Sequence, residues 1–293
     1  MPLALLEDPQ WMAWWGAAAF SLGLVVGSFL NVVIYRLPRG ESVIRPGSRC
    51  PHCQAAIRPW DNVPVLSYLW LRGRCRHCGA RISARYPAIE FLTGCVFLLV
   101  VLRFGAQIQT PLFLAFAALL IAAAWIDVDH RIIPDALSLG GLAMGIALVP
   151  MARVGQGAGL SESLLFSVVG AVLGGGLLWS VGFVHARLSV AMGRSFDHWP
   201  GEGEAPPRPG SLDYWTWFPG LGFGDVKLMA MIGAFVGPLG VLETIVLSSL
   251  VGVVVGVAWI LKKGPTVPFG FAPSLAVGAL LTLLLPDALA AFF

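Results

Sequence analysis

The chain has 293 residues, of which 57% are hydrophobic and only 12% are charged, and its mean hydropathy is +0.79. A soluble globular domain carries about 25% charged residues, so this composition excludes that class. The apolar residues form runs of about 20 residues, which is the length of a transmembrane helix, and they do not alternate as in a membrane β-barrel. We therefore expect an all-α polytopic membrane protein.

The first predicted element is a transmembrane helix over residues 12–35, in a first unit of residues 1–35. The segment that follows, 36–86, contains ten arginines and two acidic residues, which gives it a net charge of about +8. Basic loops between spans stay in the cytoplasm, so the helix is expected to run from outside to inside. Nucleic-acid binding could also explain the arginines, but the segment is short and tethered to the membrane. We expect no nucleic-acid partner.

Four cysteines form two CxxC knuckles within this basic segment, separated by 21 residues. Paired knuckles at this spacing are typical of a zinc site, and four thiolates leave no open coordination position, which indicates a structural metal. The alternative is a pair of disulfides, which the reducing cytoplasm disfavours. We predict that residues 36–86 form a small cytoplasmic zinc-binding domain whose folding depends on the metal. The predicted ligands are Cys50, Cys53, Cys75 and Cys78.

The rest of the chain, residues 87–293, contains the other predicted spans, which brings the total to about eight. A loop over 188–224 is rich in proline, glycine and charge, so we expect it to be cytoplasmic and mobile. The helix that begins at Asp225 is short before Pro238 and could be re-entrant rather than spanning. The other predicted helices are 87–104, 111–126, 136–151, 163–186, 239–261 and one from about 270 onward.

Two aspartates lie at the ends of apolar runs, where an ionisable side chain is costly and usually functional. Asp127 ends the run AFAALLIAAAWID, and Asp225 closes GLGFGD before another apolar run. The predicted topology places both at the cytoplasmic edge of the bilayer. Of two neighbouring carboxylates, one can take a proton from water while the other polarises a carbonyl. We predict that Asp127 and Asp225 are a catalytic aspartyl-protease pair in the 87–293 domain, with their acid and base roles left open.

The acidic residues near this edge could also have purely structural roles. Asp135 follows Pro134 and is expected to be a helix N-cap, and Asp129 could be a solvated surface charge. Asp225 could itself cap the following helix, with Lys227 neutralising it. The glycines of GLGFGD favour a catalytic site, since an extended substrate strand can lie close to them. The sequence contains no HExxH helix and no GxSxG turn that would indicate another hydrolytic mechanism.

Several motifs spread over nearly the whole chain resemble those of bacterial prepilin peptidases, the type IV leader peptidase family of GxGD aspartyl proteases. The long loop over 193–219 is the main departure from the family pattern. The matching motifs are GSFLNVVIYRLP at 27–38, CPHC at 50–53, DNVPVLSYLWLRGRCRHC at 61–78, YPAIEFLTG at 86–94, IDVDHRIIPD at 126–135, GFGDVKL at 222–228 and PFGFAPSLAVG at 268–278.

This resemblance implies an enzyme of the bacterial inner membrane. Such enzymes remove the basic leader from type IV prepilins and from the pseudopilins of type II secretion, at the cytoplasmic face. The family's catalytic aspartates correspond to Asp127 and Asp225. Many members also methylate the new N-terminus with S-adenosylmethionine, an activity associated with the N-terminal half. Glu90 and Gly94 lie in the stretch linked to methyl transfer. The expected partners are prepilins or pseudopilins and membrane lipid.

Three competing functions would fit parts of the sequence. A presenilin-like intramembrane aspartyl protease shares the GxGD turn, but the cysteine knuckles and GSFLNVVIYRLP favour a prepilin peptidase. A transporter with paired carboxylates is expected to show inverted repeats and broken helices at the midplane, and the sequence shows no convincing repeat. In an assembly scaffold built on the zinc-binding loop, neither aspartate should affect substrate processing.

Overall fold

The structure is a computed structural model that describes residues 9–194, 196, 199, 205–263 and 270–285. Within these residues the regular structure is helical, and the β contacts are isolated bridges. The predicted all-α class is confirmed. The chain divides into two compact units, residues 1–126 and 127–293.

The first unit is built on two long helices that pack closely along glycines. A Cβ placed on Gly23 would lie 2.7 Å from the Cα of Gly94, and one on Gly27 would lie 2.7 Å from the Cα of Glu90. Such close backbone approach is the usual way for helices to associate in lipid. Asn31 strengthens the contact by donating from Nδ2 to the carbonyl of Tyr86 at 3.1 Å. The helices of this unit are α1 (Pro9–Arg36), α2 (Leu66–Trp70), α3 (Arg85–Phe104) and most of α4 (Thr110–His130).

The second unit packs its helices around the first half of its longest helix, α8. Along α8, Leu228, Met229, Met231 and Ile232 are fully buried, so this half of the helix forms the core of the unit. Glycines of α6 allow the two backbones to meet, and a Cβ on Gly174 would lie 2.5 Å from the carbonyl oxygen of Met229. The helices are α5 (Asp135–Val154), α6 (Leu160–Ala191), α7 (Asp213–Thr216), α8 (Phe223–Lys263) and α9 (Ala272–Leu284).

The structure leaves the expected count of eight spans unconfirmed. Six helices among the described residues are long and apolar enough to cross a membrane, and α9 has only 13 residues. The predicted helices on either side of Pro238 are both present as the two arms of α8, which is interrupted by non-helical backbone at Gly237, where φ is 73°. Glycine tolerates this left-handed conformation, so the chain can turn ahead of the proline and resume helical hydrogen bonding. The count of eight is therefore not confirmed.

The predicted 188–224 loop contains ordered aromatic structure over its described residues. Trp199 and Phe218 are buried against Ala186 of α6. Residues 195, 197, 198 and 200–204 of this loop lie outside the described part of the chain. Its mobility stays a prediction.

Candidate active site

Asp127 lies in the last turn of α4 and is buried, with 5% of its surface exposed. The helix ends because Arg131 adopts a left-handed conformation, with φ at 55°, and donates its N–H to the carbonyl of Asp127 at 2.9 Å. The carboxylate then meets the start of α9, where the N–H of Ala272 donates to Asp127 Oδ2 at 3.1 Å. A helix N-terminus is a favourable place for a negative charge. One carboxylate oxygen of Asp127 is thus fixed by the backbone.

Gly270, in the PFGFAP motif, supplies the space that this contact needs. A Cβ added at Gly270 would overlap the carboxylate of Asp127, so only glycine fits there. In the sequence this motif indicated only a family resemblance, and the glycine had no assigned role. The glycine is visible in the sequence, but its role depends on a contact with Asp127, which lies 143 positions earlier in the chain.

We expect Gly270→Ala to reduce leader cleavage by at least about 100-fold, because displacement of a reacting group by about 1 Å can cost that much. The added methyl group displaces the carboxylate of Asp127 without removing it. Cleavage rates of a purified prepilin measure the effect. Gly176→Ala is the matched control, since a Cβ there meets no atom within 4 Å, and its rate should equal that of the wild type. Equal rates for both variants would contradict the assigned contact.

Asp225 lies in the first turn of α8 and is also buried, with 8% of its surface exposed. Its Oδ2 accepts the N–H of Gly222 at 3.2 Å, and its own N–H donates to the Gly222 carbonyl at 3.0 Å. This is the side-chain arm of a capping box, in which a residue in the first turn reaches back to the N-cap. Oδ1 of Asp225 is buried and has no hydrogen-bond partner among the described residues.

The two aspartates belong to the same unit, and the charge of Asp127 acts on Asp225, so the two carboxylates are within electrostatic reach of each other. Each has one oxygen held by a backbone N–H, which leaves the other available to water or to a substrate carbonyl. This arrangement can support the acid and base steps of hydrolysis. The catalytic roles of Asp127 and Asp225 remain predictions.

Asp135 and Lys227 form an ion pair close to this site. Asp135 is the first residue of α5, and Pro134, which is extended at ψ 136°, occupies the N-cap position. The expectation that Asp135 caps the helix is therefore wrong. Lys227 pairs with Asp135 rather than with Asp225, while Asp129 is exposed near the end of α4.

A stack of aromatic rings holds the chain just before the GLGFGD turn. The rings of Trp179 and Phe183 on α6 stack at 4.9 Å, and Trp215 stacks on Phe183 at 5.4 Å. Trp179 Nε1 also donates to the carbonyl of Trp215 at 2.9 Å. Phe218 packs edge-on against Phe183 and pairs with Leu221. The stack fixes the segment that enters the turn and thereby the position of Asp225.

The four predicted metal ligands lie together, with all four sulfur atoms within 4.8 Å of one another. The two knuckles share one backbone conformation. Gln54 and Gly79 each lie four residues after the first cysteine, have left-handed φ values of 58° and 70°, and donate N–H to that cysteine's carbonyl at 2.9 Å. The Cys50 and Cys78 sulfurs are 3.9 Å apart, which fits the separation of ~3.8 Å expected around tetrahedral zinc. All five cysteines, each within the described ranges, are free thiols.

The four cysteine sulfurs strongly affect one another's ionisation. The N–H of Cys53 donates to the sulfur of Cys50 and lowers the pKa of Cys50 to about 6. The N–H of Ala80 favours the Cys78 thiolate, yet burial and the three neighbouring sulfurs raise the pKa of Cys78 to about 11. Four thiolates this close repel one another, and a divalent metal removes that repulsion. The donor set therefore fits a metal ion.

Glu90 and Gly94 both have structural contacts in the first unit. Glu90 is buried, and its Oε2 accepts the N–H of Val65 at 2.7 Å. Gly94 lies against the side chains of Phe20 and Leu24 of α1, where a Cβ would come within 3.0 Å. These contacts account for a glutamate and a glycine at these positions. A role in methyl transfer stays a prediction.

The six apolar helices among the described residues define a polytopic helical membrane protein, and two of its carboxylates are buried at helix ends. Family models match most of the chain: the bacterial peptidase A24 N-terminal domain over residues 21–104 and the type IV leader peptidase family over residues 114–257. The chain belongs to the type IV leader peptidase family.

Three relatives carry the name prepilin leader peptidase/N-methyltransferase. The protein of Myxococcus xanthus is 36% identical over 85% of this chain and 64% of its own length. That of Stutzerimonas stutzeri is 35% identical over 94% of this chain and 92% of its own length. That of Pseudomonas aeruginosa is 34% identical over 91% of this chain and 89% of its own length. No solved structure matches the chain.

Proposed function

We propose that this chain is a bifunctional enzyme of the inner membrane that removes the leader of prepilins and pseudopilins and then methylates the new N-terminus. Family membership supports the peptidase activity, and the names of the relatives support both activities. One observation carries the proposal. Oδ1 of Asp225 is buried without a hydrogen-bond partner among the described residues, and this carboxylate feels the charge of Asp127. A buried carboxylate oxygen without a partner is costly unless it serves a ligand or a reaction.

Asp127 and Asp225 are proposed to hydrolyse the peptide bond together. The ionised carboxylate accepts a proton from water as the water oxygen bonds to the scissile carbonyl carbon. The protonated carboxylate donates its proton to the carbonyl oxygen, which gives a tetrahedral diol. When the diol collapses, the C–N bond breaks, one carboxyl group gives a proton to the leaving nitrogen, and the other regains one from the diol. The bond to be cut must be extended, and the turn at Gly222 gives it room near Asp225.

Methyl transfer is proposed to belong to the first unit, with S-adenosylmethionine as the donor. The donor, when bound, supplies an electrophilic methyl group to the free amine that cleavage exposes, and the amine loses one proton. Glu90 and Gly94 are the proposed methyl-transfer residues. Glu90 is buried beside the backbone of Val65, so a change at Glu90 also disturbs the chain leading into α2.

The metal is proposed to be a structural Zn²⁺ held by Cys50, Cys53, Cys75 and Cys78. Four protein ligands fill a tetrahedral zinc site, so the metal has no open position for substrate. The positive charge of segment 36–86 supports a cytoplasmic location for this site, and the aspartate pair is proposed to lie at the same face.

Purified full-length protein in nanodiscs, incubated with a prepilin, tests this proposal directly. Mass spectrometry should show loss of the leader without any added cofactor. With S-adenosylmethionine, the mature pilin should gain the mass of one methyl group. Cleavage of single-span substrates that lack a basic leader, with prepilin left intact, would favour a presenilin-like activity. Ion flux in liposomes that depends on Asp127 and Asp225, without cleavage, would favour a transporter.

A further inference from the structure

Residues 60–70 expose several large apolar side chains. Trp70 is 84% exposed and Leu69 is 65% exposed, although both belong to a segment outside the membrane spans. Contiguous apolar side chains on a surface usually mark an interaction site. We call these residues the α2 surface. They are Trp60, Val63, Leu66, Leu69 and Trp70.

The α2 surface is attached to the start of α3, a helix long and apolar enough to cross a membrane. The N–H of Val65, next to the first residue of α2, donates to Glu90 Oε2 at 2.7 Å. Glu90 lies five residues beyond Arg85, where α3 begins, which is about 8 Å into that helix at a rise of 1.5 Å per residue. The start of α2 therefore lies beside the first turns of a membrane-capable helix.

Hydrogen bonds within segment 36–86 also hold the α2 surface in place. The hydroxyl of buried Ser67 donates to the carbonyl of Trp60 at 3.0 Å, which ties Trp60 to α2. Next to Trp60, the carboxylate of Asp61 accepts from Nε of Arg76 at 2.9 Å, and this bond holds the pKa of Asp61 below its usual range. Arg76 belongs to the second cysteine knuckle, so the surface is fixed to the metal-binding part of the segment.

The charge around the α2 surface is strongly positive. The segment 36–86 has ten arginines, and of its two acidic residues Asp61 is engaged by Arg76. The segment stays positive even when four thiolates and a divalent ion are counted. Exposed Arg58 lies beside the surface, with its guanidinium 5.7 Å from the Trp60 ring, and exposed Arg72 follows α2. Anionic lipid attracts such arginines, and tryptophan favours the headgroup level.

We propose that the α2 surface docks on the anionic phospholipid headgroup layer of the cytoplasmic leaflet. Trp60 and Trp70 lie among the headgroups, Leu66 and Leu69 reach the upper acyl chains, and the neighbouring arginines bind phosphates. The exposed apolar side chains then leave water, and the metal-binding segment is held against the bilayer. A second copy of the chain and the substrate are the competing occupants.

Brominated lipids, which quench tryptophan fluorescence at a known depth, test the contact in nanodiscs of the full-length protein. The chain has 11 tryptophans, so the contribution of Trp70 is the difference between the wild type and Trp70→Phe. Bromines near the headgroups should quench this contribution more than bromines near the bilayer centre. Two further variants are controls. Trp14→Phe gives the quenching of an exposed ring on the membrane-capable helix α1, and Trp199→Phe gives the quenching of a buried ring that is 1% exposed. The proposal would be overturned if brominated lipid quenched the fluorescence contribution of Trp70 no more than that of Trp199.

Hydrogen exchange tests whether anionic lipid or protein covers the α2 surface. Amides of residues 63–71 should exchange about fivefold more slowly when phosphatidylglycerol is added to phosphatidylcholine nanodiscs, since one arginine near an anionic surface gains about that factor. Arg72→Gln should reduce this difference, and its metal content should match that of the wild type. Equal exchange in both lipids would overturn the role of anionic lipid. Equal protection in detergent without any bilayer would show that protein covers the surface, and would also overturn it.

Discussion

Replacement of either Asp127 or Asp225 by asparagine should abolish leader cleavage, with a loss of at least about 10³-fold in rate. Asparagine preserves the size of the side chain and can keep the backbone hydrogen bonds from Ala272 and Gly222. It cannot take a proton from water or return one to the leaving amine. Time courses of prepilin cleavage, read by mass spectrometry, measure this loss.

The design of this experiment separates catalysis from folding. Asp129→Asn is the matched control, because it makes the same chemical change on an exposed aspartate in the same turn of α4. Its cleavage rate should stay within about threefold of the wild type, as expected for a surface charge. Methylation of a pilin already cut should continue in Asp127→Asn and Asp225→Asn. Cleavage within tenfold of the wild type in either variant would contradict the paired mechanism.

The double variant adds a further constraint. If Asp127 and Asp225 act as one unit, removing both should cost little more than removing one, because effects within a catalytic unit are not additive. Independent losses that multiply would indicate separate roles, for example binding by one carboxylate and chemistry by the other.

The position of both aspartates at helix ends could be predicted from hydrophobicity, whereas their pairing stays a prediction. The apolar run before Asp127 and the one after Asp225 are long enough to fix where each helix meets the membrane edge. The cysteine pairs were equally predictable, since short knuckle spacing places Cys50 beside Cys53 and Cys75 beside Cys78 in almost any fold.

Contacts that join distant helices were not predictable in this way. The need for glycine at position 270 arises only because α9 begins against the end of α4, and no local pattern contains that information. The stack of Trp179, Phe183 and Trp215 likewise unites α6 with a loop whose composition suggested mobility. The bend in α8 was visible as Pro238, but whether the helix ends or resumes there depends on its packing against α6.

Loss of the metal should unfold the segment 36–86 while leaving the helices around it in the membrane. The segment buries few side chains of its own, chiefly Cys50 and Ser67 among the described residues. A core this small does not offset the entropy of ordering the chain, whereas a structural zinc contributes about 10–16 kcal/mol in small zinc-binding peptides. The packing of α1 on α3 through Gly23 and Gly27 does not involve the metal.

Cys75→Ser tests whether the fold of segment 36–86 depends on the metal. It removes one proposed ligand, and the other three thiolates then repel one another. Metal analysis should give one zinc per wild-type chain and less than one tenth of that in Cys75→Ser. Hydrogen exchange should rise by about 100-fold or more in residues 48–82 and stay unchanged in residues 85–104, because only the former depend on the metal. Cys95→Ser is the control, as Cys95 lies in α3 outside the cluster, and it should keep both metal and protection. A Cys75→Ser protein with full protection and no metal would show that the knuckles fold through their backbone hydrogen bonds alone, and that the cluster is not what stabilises the segment.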